Sequence, residues 1–135
     1  MLDVSKGSWV MYLPAYLVWF FAANGFMFAS GIMDSMIPMM MGTGREILPI
    51  MIGPVGDFAF LSNSIGNAAL GFMFYKHVEV DPKTTFLVFS IFNAVWLPLM
   101  YYMYTTTIIG LPGLAQYGTI ITLALGISVY TYTKL

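Results

Sequence analysis

The distribution of charged residues constrains this chain more than any other feature. No Asp, Glu, Lys or Arg occurs in the 50 residues 84–133, and none occurs in 7–33 or 58–75. Uncharged apolar windows longer than about 18 residues are typical of membrane-spanning helices. A soluble domain uses roughly a quarter of its residues as charged side chains, whereas this chain has 8% charged and 59% hydrophobic residues. The sequence therefore predicts an integral membrane protein.

The uncharged windows divide into four predicted helices. Residues 84–133 are too many for one span, and the run from Gly110 to Gly113, which contains Pro112, favours a break in their middle. The first apolar stretch is too long for a signal-peptide core, so we expect it to be retained. We predict an all-α four-transmembrane-helix bundle that forms a single membrane domain. The predicted spans are 9–32, 55–75, 84–104 and 114–133, within the domain 1–135.

The charges that flank these spans predict how the chain is oriented. Four spans place both termini on the same side as the loop between the second and third spans. That side carries the four lysines of the chain, and Arg45 alone lies on the other side. Because positively charged loops stay on the inner side, we predict that the N- and C-termini face the cytoplasm, stroma or matrix. The lysines are Lys6, Lys76, Lys83 and Lys134.

The connection 33–54, between the first two spans, is a long apolar outer loop. Pro38, Pro49 and Pro54 prevent a single helix. Its closely spaced methionines favour packing against the membrane or a neighbouring protein. Thioether binding of Cu(I) is the less favoured alternative. The predicted partner interface consists of Met36, Met39, Met40, Arg45 and Glu46.

Asparagines within the apolar windows are the main candidates for a site. At 100° per residue, Asn63, Gly66 and Asn67 share one side of the second span, opposite Phe58 and Phe72. An unpaired amide is costly in hydrocarbon, so this side is expected to face protein. The asparagines are predicted to pair across helices, or alternatively to line a ligand or pigment pocket. The candidate residues are Asn24, Asn63, Gly66, Asn67 and Asn93.

Small residues at helical spacing form a second pattern. Gly118, Thr122 and Gly126 follow one another at i+4 steps in the fourth span, and Gly25 with Ala29 does so in the first. Small residues allow close approach between membrane helices. We expect one such ridge to remain available for a partner protein.

Few residues suit metal or acid–base chemistry. Cysteine is absent and His77 is the single histidine. We interpret His77 as an exposed loop residue, with axial ligation of a chlorophyll magnesium or haem iron as the alternative. Asp57 is expected to be a solvated acid at the outer mouth of the second span or a partner of Arg45, and alternatively part of an ion path. No metal and no other cofactor is required, although chlorophyll or a lipid is compatible with the pattern.

No catalytic signature is evident: there is no paired carboxylate at mid-depth and no nucleophile beside a base. The net charge of −1 gives no basic surface for nucleic acid. The sequence therefore predicts a non-catalytic accessory or assembly subunit of a larger membrane complex, photosynthetic or respiratory, whose partners are other membrane subunits and lipids. The alternative is a small transporter or channel with a polar path near Asp57, Asn63 and Asn67.

Overall fold

The computed structural model describes residues 1–37, 53–106 and 108–135. These parts of the chain are helical and contain no strand, which confirms the all-helical prediction for them. A short 3-10 helix, Trp9–Tyr12, leads into the first α-helix. The four helices are α1 (Leu13–Ala29), α2 (Pro54–His77), α3 (Pro82–Thr105) and α4 (Leu111–Lys134).

A proline lies in the first turn of each of the four α-helices. Proline fits there because its missing N–H would have no intrahelical partner. In α3, Asp81 also caps the helix, and its Oδ1 accepts a hydrogen bond of 3.0 Å from the backbone N–H of Thr84. The predicted break before the fourth span is shorter than expected, because α4 begins at Leu111 and takes Pro112 into its first turn.

Three helices within the described ranges are long and apolar enough to cross a membrane. They are Trp9–Ala29, Pro82–Thr105 and Leu111–Lys134, so the chain is a helical membrane protein. Helix α2 has 24 residues, the same length as α3 and α4. It is not among the three, because Ser62, Asn63, Ser64 and Asn67 lower the hydropathy of its central turns.

The helices form two antiparallel pairs, α1 with α2 and α3 with α4, and the pairs touch each other over a smaller area. At one end of the bundle, Met11, Val78 and Phe86 pack together, which brings both termini close to the loop 78–81. At the other end, Ile109 packs against Met100. The predicted lysine side therefore corresponds to one end of an up-and-down bundle.

The contact between α1 and α2 is the closest in the bundle. A Cβ added at Gly25 would lie 3.0 Å from the backbone oxygen of Phe60, and one at Gly71 would lie 2.5 Å from the Trp19 ring. The Ser64 hydroxyl donates a hydrogen bond of 2.6 Å across the interface to the carbonyl oxygen of Ala22. Small side chains thus hold the two backbones together.

This contact corrects the predicted packing face of α2. Gly66 is exposed, and a Cβ added there would meet no described atom within 4 Å. Asn63 is exposed as well, whereas Ser64 and Gly71 are buried. The predicted packing face is rotated about the helix axis relative to the observed one. It assigned the amides to the interface, whereas small side chains occupy the interface. The opposite side is exposed as predicted, at Phe58, Leu61, Ile65 and Phe72.

Candidate functional site: a cavity between the helix pairs

A cavity of about 180 Å³ lies between the α1–α2 pair and the α3–α4 pair. It brings together the four candidate asparagines, Asn24 from α1, Asn63 and Asn67 from α2, and Asn93 from α3. Gly66 is not among its lining residues. The remaining described walls are apolar or aromatic. The aromatic lining consists of Phe21, Phe28, Phe60, Phe92, Trp96 and Tyr117.

Helical spacing explains why α3 contributes most to this wall. Phe92, Trp96, Met100 and Met103 follow at steps of three or four residues and all line the cavity, because such residues share one face of a helix. Asn93 borders this stripe. None of the described lining residues carries a formal charge. The cavity therefore suits a neutral ligand.

The asparagine side chains do not bond to one another across helices in the described parts of the chain. The Nδ2 of Asn24 donates to the Phe20 carbonyl oxygen at 2.8 Å, and that of Asn93 donates to the Phe89 carbonyl oxygen at 2.7 Å. On α2, the Nδ2 of Asn67 donates to Asn63 Oδ1 at 2.7 Å. The predicted interhelical amide network is therefore wrong. For Asn24 and Asn93, the carbonyl oxygen four residues earlier in the same helix is within reach. The asparagines of different helices are instead arranged around the cavity.

Asn93 is left with an unpaired acceptor. Its side chain is 1% exposed, and its Oδ1 is a buried atom without a hydrogen-bond partner in the described structure. Buried polar atoms are almost always paired, and leaving one unpaired costs about 1–3 kcal/mol. An unpaired amide oxygen beside a cavity marks the point at which a hydrogen-bond donor is missing.

His77 and Asp57 lie apart from this cavity. The exposed His77 places its Nδ1 at 2.8 Å from Thr85 Oγ1, which itself donates to the Asp81 carbonyl oxygen. Because that donation uses the one hydroxyl proton of Thr85, the Thr85 oxygen acts as the acceptor and Nδ1–H of His77 as the donor in this contact. Asp57 is exposed in the first turn of α2, where the helix dipole favours a negative charge.

The predicted partner interface lies mostly outside the described residues. Met36 is half-buried, and its backbone N–H donates to the Met33 carbonyl oxygen at 2.8 Å. Met39, Met40, Arg45 and Glu46 fall in the part of the chain that is not described. No cluster of three or more His, Asp or Glu side chains suited to a metal ion occurs within the described ranges.

The small-residue ridge of α4 is not covered by another helix in the described parts of the chain. A Cβ added at Gly126 would meet no described atom within 4 Å, and one at Gly118 would meet only Leu114 of the same helix at 3.9 Å. Thr122 is exposed and donates its hydroxyl within α4, to the Gly118 carbonyl oxygen. A groove runs beside this ridge, with Leu97 of α3 and Leu123 of α4 among its lining residues.

Sequence reasoning missed the residues that join α1 to α2. Ser64 and Gly71 are seven residues apart, which is two helical turns, and this spacing was the available signal. The aromatic walls of the cavity were not identified either, because aromatic residues occur on every face of these helices. No protein-family model matches the chain, and neither a curated protein nor a solved structure matches it. Its function has to be inferred from these surfaces.

Proposed function

We propose that this chain is a non-catalytic accessory or assembly subunit of a larger membrane protein complex. The observation that supports the proposal is the open ridge of α4, formed by Gly118, Thr122 and Gly126. By contrast, Gly25 of α1 and Gly71 of α2 are covered by the neighbouring helix. Because glycine gives lipid little apolar contact but lets a backbone approach closely, this ridge suits a transmembrane helix of another subunit.

The proposal includes a fourth membrane crossing by α2. Its 24 residues extend over about 36 Å at 1.5 Å per residue, which exceeds a hydrocarbon core of about 30 Å. Its outward side is apolar at Phe58, Ile65 and Phe72. Asn63 and Asn67 line the central cavity, and Ser62 and Ser64 donate their hydroxyls to backbone carbonyl oxygens, so each of these polar residues has either the cavity or a hydrogen-bond acceptor beside it.

We further propose that both termini face the cytoplasm, stroma or matrix, because the lysines gather at that end of the bundle. Lys83 lies over the Tyr132 ring at 5.6 Å and Lys134 over the Tyr130 ring at 5.7 Å. Cysteine labelling is unambiguous because the chain has no cysteine. Cysteines introduced at Ser5 and Thr105 are expected to react from opposite sides of the membrane, with Ser5 accessible from the inner side.

The decisive experiment compares two exposed glycines. Gly126→Leu fills the α4 ridge, whereas Gly66→Leu adds the same side chain to α2, where a Cβ also meets no described atom. After mild detergent extraction of native membranes, we expect the wild type and Gly66→Leu to migrate in a high-mass assembly and Gly126→Leu to migrate alone. The thermal stability of the purified chains should be similar. A wild type that migrates as a monomer, or a Gly126→Leu variant that stays assembled, would contradict the proposal.

The loop between α1 and α2 provides a second arm of this test. We propose that its methionines contribute to the contact with the partner. Replacing Met36, Met39 and Met40 with serine is therefore expected to weaken the same assembly while the helices remain inserted. Co-migrating subunits and an absorption spectrum would then identify whether the complex is photosynthetic or respiratory, and whether His77 ligates a pigment.

The transporter alternative has weaker support. Asn63 and Asn67 line the cavity, but Asp57 does not, and the aromatic walls do not form a polar path. Solute flux in liposomes that contain only this chain would favour the transporter over the subunit.

A further inference from the structure

We propose that the cavity between the two helix pairs binds a single-ring phenol whose hydroxyl donates to Asn93 Oδ1. The proposal does not depend on the subunit function, because it concerns the centre of the bundle and not its outer ridge.

The volume of the cavity matches about one ring. A cavity of about 150 Å³ lined by apolar side chains binds benzene, and this one measures about 180 Å³. The difference accommodates a few small substituents. A tetrapyrrole is several times larger than one ring, so a chlorophyll or haem ligated by His77 would have to lie elsewhere.

The walls suit a flat aromatic molecule. Phe28 and Phe60 hold their ring centroids 4.9 Å apart, and Phe21 and Tyr117 hold theirs 5.9 Å apart. Both pairs join residues from different helices, so the aromatic walls are fixed by the fold. Aromatic rings attract one another in offset or edge-to-face arrangements beyond the effect of area burial. An aromatic ligand would make further ring contacts of this kind with the wall residues.

The polar groups select a hydroxyl. Asn93 Oδ1 requires a donor, which a quinone or a hydrocarbon cannot supply. An amide also carries two N–H groups, and Asn24 uses its Nδ2 on a single described acceptor, the Phe20 carbonyl oxygen. It therefore keeps an N–H for the oxygen of the ligand. A phenol can both donate to Asn93 and accept from Asn24. Because Oδ1 of Asn93 is shielded, the proposal includes a rotation of the Asn93 amide toward the ligand.

Tryptophan fluorescence can report binding, because Trp96 is the one tryptophan among the described lining residues. The probe is 4-bromophenol, whose bromine quenches fluorescence at short range, and bromobenzene is the matched control without a hydroxyl. In detergent micelles, after correction for partition, we expect saturable quenching at about tenfold lower concentration for 4-bromophenol, which corresponds to one net hydrogen bond. Trp96→Phe should remove the saturable component.

Asn93→Leu separates a binding role from a structural one. Leucine has a similar shape and removes the unpaired oxygen, so the variant should be as stable as the wild type or more stable, yet lose the tenfold preference for the phenol. Ser62→Leu, at an exposed position that does not line the cavity, should keep that preference. Equal affinity of the wild type for both probes would overturn the proposal. So would a preference that survives Asn93→Leu, or saturable quenching that survives Trp96→Phe.

Discussion

This chain has two ridges of small residues, one in the α1–α2 contact and one on α4, and their surroundings differ. In the α1–α2 contact, the space beside Gly25 and Gly71 is occupied by atoms of the opposite helix. On α4, the space beside Gly118 and Gly126 contains no described atom of another helix. A glycine in a membrane helix therefore indicates that a second helix can approach closely. Whether a helix does so depends on what lies beside the glycine.

Hydrogen bonding differs in the same way between the two ridges. Ser64 donates across the interface to Ala22, whereas Thr122 donates to Gly118 within its own helix. The first span is also more buried than α3 or α4, because 44% of its apolar window is buried, against 22% in each of the other two. Helix α1 is thus closely packed on the side of α2, whereas the α4 ridge keeps its surface available for lipid or another protein.

The largest expected effect comes from adding one methyl group to each ridge. Gly71→Ala places a Cβ 2.5 Å from the Trp19 ring and 2.9 Å from a Val18 methyl. Overpacking of this kind costs about 1–3 kcal/mol. Gly126→Ala meets no described neighbour, and alanine raises helix propensity by up to about 1 kcal/mol. Thermal unfolding in detergent should therefore give a lower midpoint for Gly71→Ala and an unchanged or higher one for Gly126→Ala.

Equal midpoints for these two variants would contradict the comparison. That result would mean either that α1 and α2 separate easily in detergent or that the Trp19 ring moves aside at little cost. Gly25→Ala distinguishes these explanations, because its close neighbour is the Phe60 backbone, which cannot rotate away as a side chain can.

A smaller effect is expected from removing one hydroxyl at each ridge. Ser64→Ala deletes the interhelical bond of 2.6 Å to Ala22. Interhelical hydrogen bonds in membrane proteins average about 0.6 kcal/mol and reach about 1.7 kcal/mol. Thr122→Ala deletes a bond within α4 and should change stability less. Steric trapping or denaturant unfolding in micelles can resolve the difference, and a larger loss from Thr122→Ala would reverse the assignment of the two ridges.

The helices were predictable from the sequence because their signal is local. The uncharged runs and the break at Gly110 to Gly113 placed all four helices within a few residues of their observed ends. The rotation of α2 was not predictable in the same way. The rotation depends on whether the Asn63 side chain has to find a hydrogen-bond partner on another helix. Asn67, four residues later on the same helix, already donates to Asn63 Oδ1. The four asparagines line one cavity, but whether such amides bond to one another or border a cavity depends on distances between helices, which no local pattern contains.

The smallest expected effect concerns the loop that joins the two pairs. Hydrogen bonds from Thr84 lower the pKa of Asp81 below its usual 3.8, so its carboxylate stabilises the folded state above that pH and stops doing so as the pH falls through the lowered pKa. Asp81→Asn keeps an N-cap acceptor but loses the charge. We expect it to melt slightly below the wild type at neutral pH, and the gap should close in acid. Asp81→Ala, which also lacks the acceptor, should stay less stable at every pH. If the gap between Asp81→Asn and the wild type did not change with pH, the carboxylate charge would contribute nothing to the stability of the fold. The cap would then act through its hydrogen bond alone.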